Sequence, residues 1–190
     1  DLPKQLLSKP YLTKPSRIIL SKAFKYYERW TLSKFNFIIT ATPFIRDKFL
    51  KINPNTIDIN NFPKIDEISD VTLSKKNEVA YVGGISEIRG IENMISALDY
   101  TKNITLNLMG NFNDKDFKKK IKQKPQWTKV NELGFLNRTE VSEVLARSQM
   151  GIVTFLPFQN HINAQPNKMF EYMCAGLPVI ASNFPLWREI

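Results

Sequence analysis

The run from Pro166 to Asn183, PNKMFEYMCAGLPVIASN, contains the residue types and spacing best suited to binding a charged ligand. The pattern predicts a helix that is capped by Asn167 and stopped near Gly176. The N-terminus of a helix favours an anion, and a carboxylate such as Glu171 can accept hydrogen bonds from two neighbouring hydroxyls. The alternative is that Lys168 and Glu171 form an ordinary ion pair on a solvated helix face.

The apolar residues of this helix predict which side packs inward. We expect the buried side to consist of Met169, Phe170 and Met173. We expect the other side to carry Lys168, Glu171 and Tyr172. The polar side would then face any ligand held at the helix N-terminus.

A second candidate is the turn from Val82 to Gly90, VGGISEIRG, which places glycines directly after an apolar strand. Gly83 and Gly84 would let a phosphate approach the backbone, and Arg89 could reach it with a planar guanidinium. The alternative is a simple tight turn followed by an exposed arginine.

The motif P-x-K-x-x-E-x-x-x-x-G-x-P-V-I-A, from Pro166 to Ala181, resembles the nucleotide-sugar site of group 1 retaining glycosyltransferases. These enzymes, of the family-four type, have two Rossmann-like domains (the GT-B fold). The resemblance implies that Glu171 holds the ribose hydroxyls of a nucleoside-diphosphate sugar. It also implies that the helix N-terminus, with Asn167 and Lys168, faces the diphosphate.

The glycine turn departs from that family in one respect. The family's loop usually reads G-R, four residues, then K-G, and both basic residues contact the diphosphate. Here Arg89 occupies the lysine position, whereas Gly84 replaces the arginine. We hypothesise that Lys168 supplies the missing charge, so that Arg89 and Lys168 are the catalytic residues that stabilise the departing diphosphate.

Two further loops carry candidates implied by the resemblance. The family commonly has two glutamates separated by seven residues, and Asn163 stands at the first position, where an amide can still bind a sugar hydroxyl. Phe135 and Leu136 lie in the loop expected to hold the base through backbone groups, although Phe135 could equally be core. His161, the only histidine, is either structural or close to the diphosphate.

Strands and helices alternate from Glu78 onward, which predicts an α/β fold: a Rossmann-like parallel sheet with helices on both faces. The predicted strands are 79–82, 104–109, 127–133, 150–155 and 178–181. The predicted helices are 91–100, 114–124, 139–148 and 167–175. The lysines between Lys115 and Lys124 are interpreted as a solvated helix face.

The first third of the chain predicts a different unit. Pro3, Pro10 and Pro15 favour an irregular lead-in over residues 1–15, after which Ser16 would cap a helix to about Lys34. Further along we expect strands at 37–40 and 57–59 and a helix capped by Thr42 with Pro43 at its first position.

The runs ATPFIRDKF and INNFP resemble the end of the family's N-terminal, acceptor-binding domain and its crossing into the second domain. The expected division is residues 1–63 for that end, 64–77 for a linker, and 78–190 for a truncated nucleotide-sugar domain. We read the chain as a fragment of a longer protein that would not transfer sugar alone.

Charge is concentrated at the start of the chain. Residues 1–35 hold eight Lys or Arg residues against Asp1 and Glu28, whereas the whole chain has a net charge of +9. An amphipathic helix in this region is usually packed on its own domain, but its basic side could still face lipid headgroups, and we prefer an anionic membrane surface to nucleic acid as the partner of the basic segment. No recognised motif supports nucleic acid.

The remaining composition limits the chemistry. Cys174 is the only cysteine, so an internal disulfide is excluded and a reducing compartment is favoured. We interpret Cys174 as a small core residue. No apolar run reaches the ~20 residues of a membrane span, and no signal peptide opens the chain. We expect no obligatory metal and no cofactor.

The sequence thus predicts a cytoplasmic hexosyl- or glycosyltransferase at the inner face of the cell membrane. It would move sugar from a nucleoside-diphosphate sugar to a hydroxyl of a saccharide or lipid-linked acceptor in bacterial surface polysaccharide assembly. Two alternatives stay open: a nucleotide-sugar epimerase of the same architecture, and a non-catalytic basic binding module.

Overall fold

The computed structural model describes residues 2–7, 12–63 and 73–190. Contacts divide the chain into two compact units, Asp1–Asn61 and Phe62–Ile190. Most of the linker predicted at 64–77 lies outside the described residues, so its conformation stays a prediction.

In the described residues, the first unit contains three helices and a pair of strands. These elements are α1 (Leu2–Leu7), α2 (Lys14–Leu32), β1 (Ile38–Thr40), α3 (Pro43–Leu50) and β2 (Thr56–Asp58). The two strands pair in parallel. The predicted start of α3 is confirmed, because Thr42 accepts a hydrogen bond from the amide of Ile45 and Pro43 occupies the first turn.

Two predictions for this unit are wrong. The lead-in is not wholly irregular, because α1 accommodates Pro3 in its first turn, where a missing amide hydrogen costs nothing. Helix α2 begins at Lys14, and Thr13 rather than Ser16 is its cap; the Thr13 side chain accepts from the amide of Ser16. Pro15 therefore lies in the first turn of the helix instead of preceding it.

The second unit is built on five parallel strands. They are β3 (Glu78–Val82), β4 (Thr105–Met109), β5 (Val130–Gly134), β6 (Met150–Val153) and β7 (Val179–Ala181). Their spatial order is β5-β4-β3-β6-β7, so the chain winds outward from β3 in both directions. This confirms the predicted α/β fold, and it creates a topological switch point between β3 and β6.

Helices cover both faces of this sheet. They are α4 (Ile91–Ala97), α5 (Lys115–Lys122), α6 (Arg138–Arg147), α7 (Gln159–Ile162) and α8 (Asn167–Cys174). Residues alternate along β3, so Tyr81 packs into one core with Ile95 of α4, whereas Ala80 packs into the other with Tyr172 of α8. Both Tyr81 and Tyr172 are fully buried.

The largest boundary error concerns β5. Trp127, predicted to start this strand, lies instead in a 3₁₀ turn over Pro125–Lys129. Pro125 fixes the backbone in a turn conformation and has no amide hydrogen to donate to a neighbouring strand, so the strand starts only at Val130.

A row of polar side chains crosses the sheet at its amino-terminal edge. Asn107, fully buried on β4, donates to Glu78 at 2.8 Å and accepts from Asn131 at 2.9 Å. Arg147 of α6 donates to the same Glu78 oxygen at 2.9 Å. Burial raises the pKa of Glu78, but the hydrogen bonds from Arg147 and Asn107 outweigh it and lower the pKa overall. The row is therefore a satisfied structural network.

Candidate functional site

The site is organised by the gap that opens between β3 and β6. The two strands pair only as far as Ala80 and Gly151, and beyond this point they separate. The hydroxyl of Tyr172 fills the gap, accepting from the amide of Val82 at 2.9 Å and lying 3.4 Å from the carbonyl of Ile152. Burial raises the pKa of the Tyr172 phenol, so it remains a donor at neutral pH.

The glycine turn extends directly from this edge. Gly83 has φ +127°, a conformation that side chains disfavour, and its amide donates to the Met109 carbonyl at 2.8 Å. The amide of Ile85 donates to the carbonyl of Asn111 at 2.8 Å, and the amide of Gly110 donates to the carbonyl of Gly134 at 2.6 Å. The turn after β3 is thus bonded to the end of β4 and to the loop after β4, and that loop is bonded to Gly134, the last residue of β5.

Lys168 reaches this turn from beneath. Lys168 is only 8% exposed. A Cβ atom added to Gly83 would lie 2.6 Å from the Nζ atom of Lys168. Nζ lies 4.3 Å from the ring centroid of Tyr81 and donates to the Tyr81 hydroxyl at 3.3 Å. Gly83 is therefore glycine because of its backbone angle, and a side chain there would also displace the ammonium of Lys168.

No carboxylate of the described residues forms an ion pair with this ammonium. Burial lowers the pKa of Lys168 to about 7; the nearby positive charge of Arg89 lowers it further, and Glu171 opposes the shift. A buried cation held by one long hydrogen bond and by aromatic rings is a group prepared to receive an anion.

The side chain of Arg89 lies close to the same place. It ends a 3₁₀ turn over Glu87–Arg89, and its guanidinium carbon lies 4.6 Å from the ring centroid of Phe155. The Nζ atom of Lys168 lies 5.2 Å from the same ring. Phe155 is 5% exposed; its buried ring thus holds two cations near each other, a role that its position after β6 did not suggest.

Close packing fixes the turn that carries Arg89. Gly90 has φ +70°, and a Cβ there would lie 1.8 Å from the carbonyl oxygen of Thr154. The loop after β3 therefore contacts the loop after β6 without an intervening side chain. The hydroxyl of Thr154 is buried beside this contact and has no hydrogen-bond partner in the structure.

Helix α8 is turned differently from the prediction. Lys168, Met169 and Tyr172 are its buried residues, whereas Met173 is 42% exposed. Asn167 is exposed and is the first helical residue, following Pro166 as cap. The lysine is buried because its long stem fits beneath the glycine turn, an arrangement that outweighs its preference for water.

The predicted end of α8 is confirmed. Gly176 has φ +67°, and its amide donates to the Met173 carbonyl at 2.9 Å, while the Leu177 amide donates to Tyr172 at 2.9 Å. Cys174 is exposed, so the prediction of a small core residue is wrong; it lies on the outward side of the rotated helix.

Glu171 is half-buried but does not pair with Lys168. Its Oε1 atom accepts from Arg138 at 3.0 Å, and its side chain is 17% exposed. The predicted alternative of a Lys168–Glu171 surface pair is therefore wrong, because the two side chains leave α8 in different directions. Arg138 is a residue that the sequence pattern did not single out.

The loop between β5 and α6 presents Phe135 to solvent. This ring is 78% exposed, so the alternative that it belongs to the core is wrong. Leu136 is half-buried, packed against the core that contains Tyr172. The loop then ends in a capping box, in which Asn137 and Glu140 each bind the other's backbone amide.

Asn163 and His161 lie at the end of α7. Asn163 is exposed, whereas His161 is 5% exposed and its Nδ1 atom lies 3.0 Å from the Leu156 carbonyl. Since a carbonyl only accepts, Nδ1 carries the hydrogen. Burial lowers the pKa of His161, with the charges of Arg89 and Lys168 acting in the same direction. His161 is therefore neutral, and its ring packs against the ring of Phe155 with the two centroids 4.8 Å apart.

The predicted residues thus fall into two groups. Gly83, Arg89 and Lys168 converge at the switch point, where open α/β sheets bind ligands. Glu171 lies on the same helix as Lys168 and is tied to the start of α6. Across residues 2–7, 12–63 and 73–190, no cluster of acidic, histidine or cysteine side chains is arranged to hold a metal ion.

Comparisons with known proteins give a family and a fold. A family model described as glycosyl transferases group 1 matches residues 64–190. A search of curated proteins gave no match.

Solved structures resemble the chain at low identity. Anabaena HepE in complex with UDP is 18% identical, with a TM-score of 0.69 over 96% of this chain and 53% of HepE. A mutant of S. aureus TarM, in complex with Fondaparinux, alpha-GlcNAc-glycerol and UDP, is 18% identical, with a TM-score of 0.64 over 85% of this chain and 32% of TarM. The pneumococcal O-GlcNAc transferase GtfA, in complex with UDP and GlcNAc, is 14% identical, with a TM-score of 0.62 over 86% of this chain and 33% of GtfA.

At these identities the likeness concerns the fold. The chain spans between 32% and 53% of the length of these three proteins.

Proposed function

Because this chain belongs to the group 1 glycosyl transferase family, we propose that its second unit binds a nucleoside-diphosphate sugar at the switch point between β3 and β6. The observation that carries the proposal is Lys168, a buried ammonium beside Gly83 with no carboxylate partner in the described part of the chain. A diphosphate would provide the negative charge that the folded chain does not.

The residues have distinct proposed roles. Arg89 and Lys168 stabilise the negative charge that forms on the diphosphate as the bond to the sugar breaks. The backbone of Gly83 and Gly84 allows the phosphates to come close, and the N-terminal turn of α8, with Asn167, adds its partial positive charge. Lys168 thereby replaces the positive charge missing at Gly84.

The remainder of the donor would lie along the same edge. Glu171 accepts from the ribose hydroxyls, and Phe135 and Leu136 border the base. Asn163 offers a neutral hydrogen-bonding group to the transferred sugar. The sugar is released from the diphosphate and bonded to an acceptor hydroxyl, whose proton leaves; we propose retention of configuration, as in the family's retaining members.

The acceptor and its location belong to the whole protein. We propose a saccharide or lipid-linked acceptor of bacterial surface polysaccharide assembly, with residues 1–63 forming the end of the acceptor-binding domain and 64–77 a linker. HepE and GtfA, whose complexes contain UDP with or without a sugar, support the donor class. Because the chain spans only part of these relatives, we expect it to bind a donor without transferring sugar.

Helix α2 provides the observations for a membrane proposal. It has no buried residue, and Ile19 and Trp30 are 66% and 64% exposed. Its basic residues include Lys22, Lys25 and Arg29. Among the described residues no helix is long and apolar enough to cross a membrane. We propose that α2 lies on an anionic surface at the inner face of the cell membrane.

Binding of nucleoside diphosphates to the chain tests the donor site. We expect thermal stabilisation by at least one of UDP, ADP or GDP, lost in Lys168→Met, weakened in Glu171→Gln and kept in Lys119→Gln, which removes an exposed lysine from α5. No stabilisation by any of the three would contradict the proposal. A product found with donor alone would instead favour the epimerase.

A further inference from the structure

We infer that Arg138 is the residue that positions Glu171 for the ribose of the donor. This inference rests on the proposed function. It adds that the ion pair between Arg138 of α6 and Glu171 of α8 lets the site distinguish ribose from deoxyribose. Nothing in the motif that contains Glu171 points to this arginine, which lies 33 residues away in sequence.

The contact itself has a defined geometry. The Nη1 atom of Arg138 donates to Oε1 of Glu171 at 3.0 Å. Glu171 is 17% exposed, whereas Arg138 is 67% exposed. The carboxylate is thus sheltered, its orientation is set by one of its oxygens, and Oε2 can accept from a ribose hydroxyl. A carboxylate fixed in this way loses less conformational freedom when a diol binds.

The position of Arg138 does not serve its own helix. Arg138 is the first residue of α6, where the helix dipole is positive and a cation is unfavourable. The capping box of Asn137 and Glu140 already satisfies this helix end. The contact with Glu171 offsets this unfavourable position of the cation.

The position of Arg138 in the fold explains why its contact with Glu171 would matter for donor binding. It follows directly after the loop that contains Phe135 and Leu136, which the donor proposal assigns to the base. Glu171 lies on α8, one turn after Lys168. The ion pair therefore joins the part of the site that would meet the base to the helix that would meet the ribose and diphosphate.

The experiment compares ribose and 2′-deoxyribose forms of one nucleotide. Whichever of UDP, ADP or GDP binds most tightly is measured beside its 2′-deoxy form, with the native chain and with Arg138→Gln, Arg138→Lys and Glu171→Gln. Lys119→Gln serves as the control for loss of one positive charge. The unfolding temperature of each variant is recorded, so that a folding defect is recognised.

The expected result is a change in the ratio of the two dissociation constants. The native chain should bind the ribose form about ten times more tightly, as expected for one hydrogen bond to a charged group. Arg138→Gln should weaken binding of the ribose form and reduce this ratio roughly threefold or more. Arg138→Lys, which keeps the charge, should restore part of it, and Lys119→Gln should leave it unchanged.

The outcomes separate the inference from the proposed function. If Glu171→Gln abolishes the ratio and Arg138→Gln leaves it intact, the positioning role is wrong and the donor site stands. Tighter binding of the ribose form by Arg138→Gln would also overturn the inference, because Arg138 would then be competing for the carboxylate. If Glu171→Gln has no effect, or no nucleotide binds, both fail.

Discussion

Replacing Lys168 by methionine should make the folded chain more stable and its donor site inactive. The folded chain confines the ammonium among Gly83, Tyr81 and Phe155, and its pKa falls from 10.5 to about 7. At ~1.36 kcal/mol per pKa unit, the charged form is disfavoured by about 4 to 5 kcal/mol. Methionine keeps much of the stem and carries no charge, so it avoids this cost.

Part of the gain is offset. The ammonium interacts favourably with the rings of Tyr81 and Phe155, and such interactions contribute about 2 kcal/mol when they are desolvated. We therefore expect a net stabilisation of about 2 kcal/mol at pH 7. For a chain of this size that corresponds to roughly 4–8 °C in unfolding temperature.

The pH dependence distinguishes this explanation from better packing alone. Because the folded-state pKa of Lys168 is lower than its unfolded value of 10.5, the unfolded chain binds more protons between about pH 7 and 10.5. Native stability from this group rises over that window and falls as pH drops to 7. The advantage of Lys168→Met should be largest at or below pH 7 and should shrink toward pH 10.

The assay is urea unfolding of both chains at pH 7 and pH 10, with Lys119→Met as the exposed-lysine control. A variant that is less stable than the native chain at pH 7, or equally improved at both pH values, would refute the reasoning. The same variant should lose binding of nucleoside diphosphates while keeping its fold.

Three other perturbations follow from the structure. Gly83→Ala should destabilise the chain and abolish nucleotide binding, because φ +127° is strained for alanine and a Cβ would displace the ammonium of Lys168 from its position 2.6 Å away, whereas Gly84→Ala, whose Cβ would lie 3.5 Å from the Asn113 side chain, should have little effect on unfolding. Tyr172→Phe should lower the free energy of unfolding by about 1–3 kcal/mol in urea titrations, because the amide of Val82 loses its acceptor. In the complete protein, binding to anionic vesicles should fall with rising salt, since exposed charges are screened within ~10 Å at 0.1 M, and it should weaken when glutamine replaces Lys22, Lys25 and Arg29.

Each has an outcome that would count against it. Equal effects of the two glycine variants would mean that the space beside Lys168 is not restrictive. A fully stable Tyr172→Phe would show that Val82 finds another acceptor. Equal binding to neutral vesicles would exclude an electrostatic role for α2.

The local features of the sequence predicted the elements of the fold well. Thr42 followed by Pro43 fixes the start of α3, and Gly176 fixes the end of α8, because each works through neighbours within one helical turn. The alternation of predicted strands with predicted helices from Glu78 onward also predicted the parallel sheet. These signals depend on contacts that are close in sequence.

The orientation of α8 could not be predicted in the same way. Residue type favours water for Lys168 and the core for Met173, yet the lysine is buried and the methionine is 42% exposed. The partner that decides this, Tyr81, lies 87 residues away in sequence. Arg138 and Phe155 were missed for the same reason, since only the assembled sheet brings them to Glu171 and Arg89.

The hydrogen bonds that link the loops after β3 and β4 to each other and to the ends of the neighbouring strands have a consequence for motion. The amides of Gly83 and Gly110 donate to carbonyls at the ends of the neighbouring strands, and the amide of Ile85 donates to the loop after β4, which continues the pairing of the strands past their ends. These amides should therefore exchange with deuterium as slowly as those of the central strands, because they open only when the sheet opens. A ligand arriving here would meet a rim that is already ordered, and little of its affinity would be spent on closing loops.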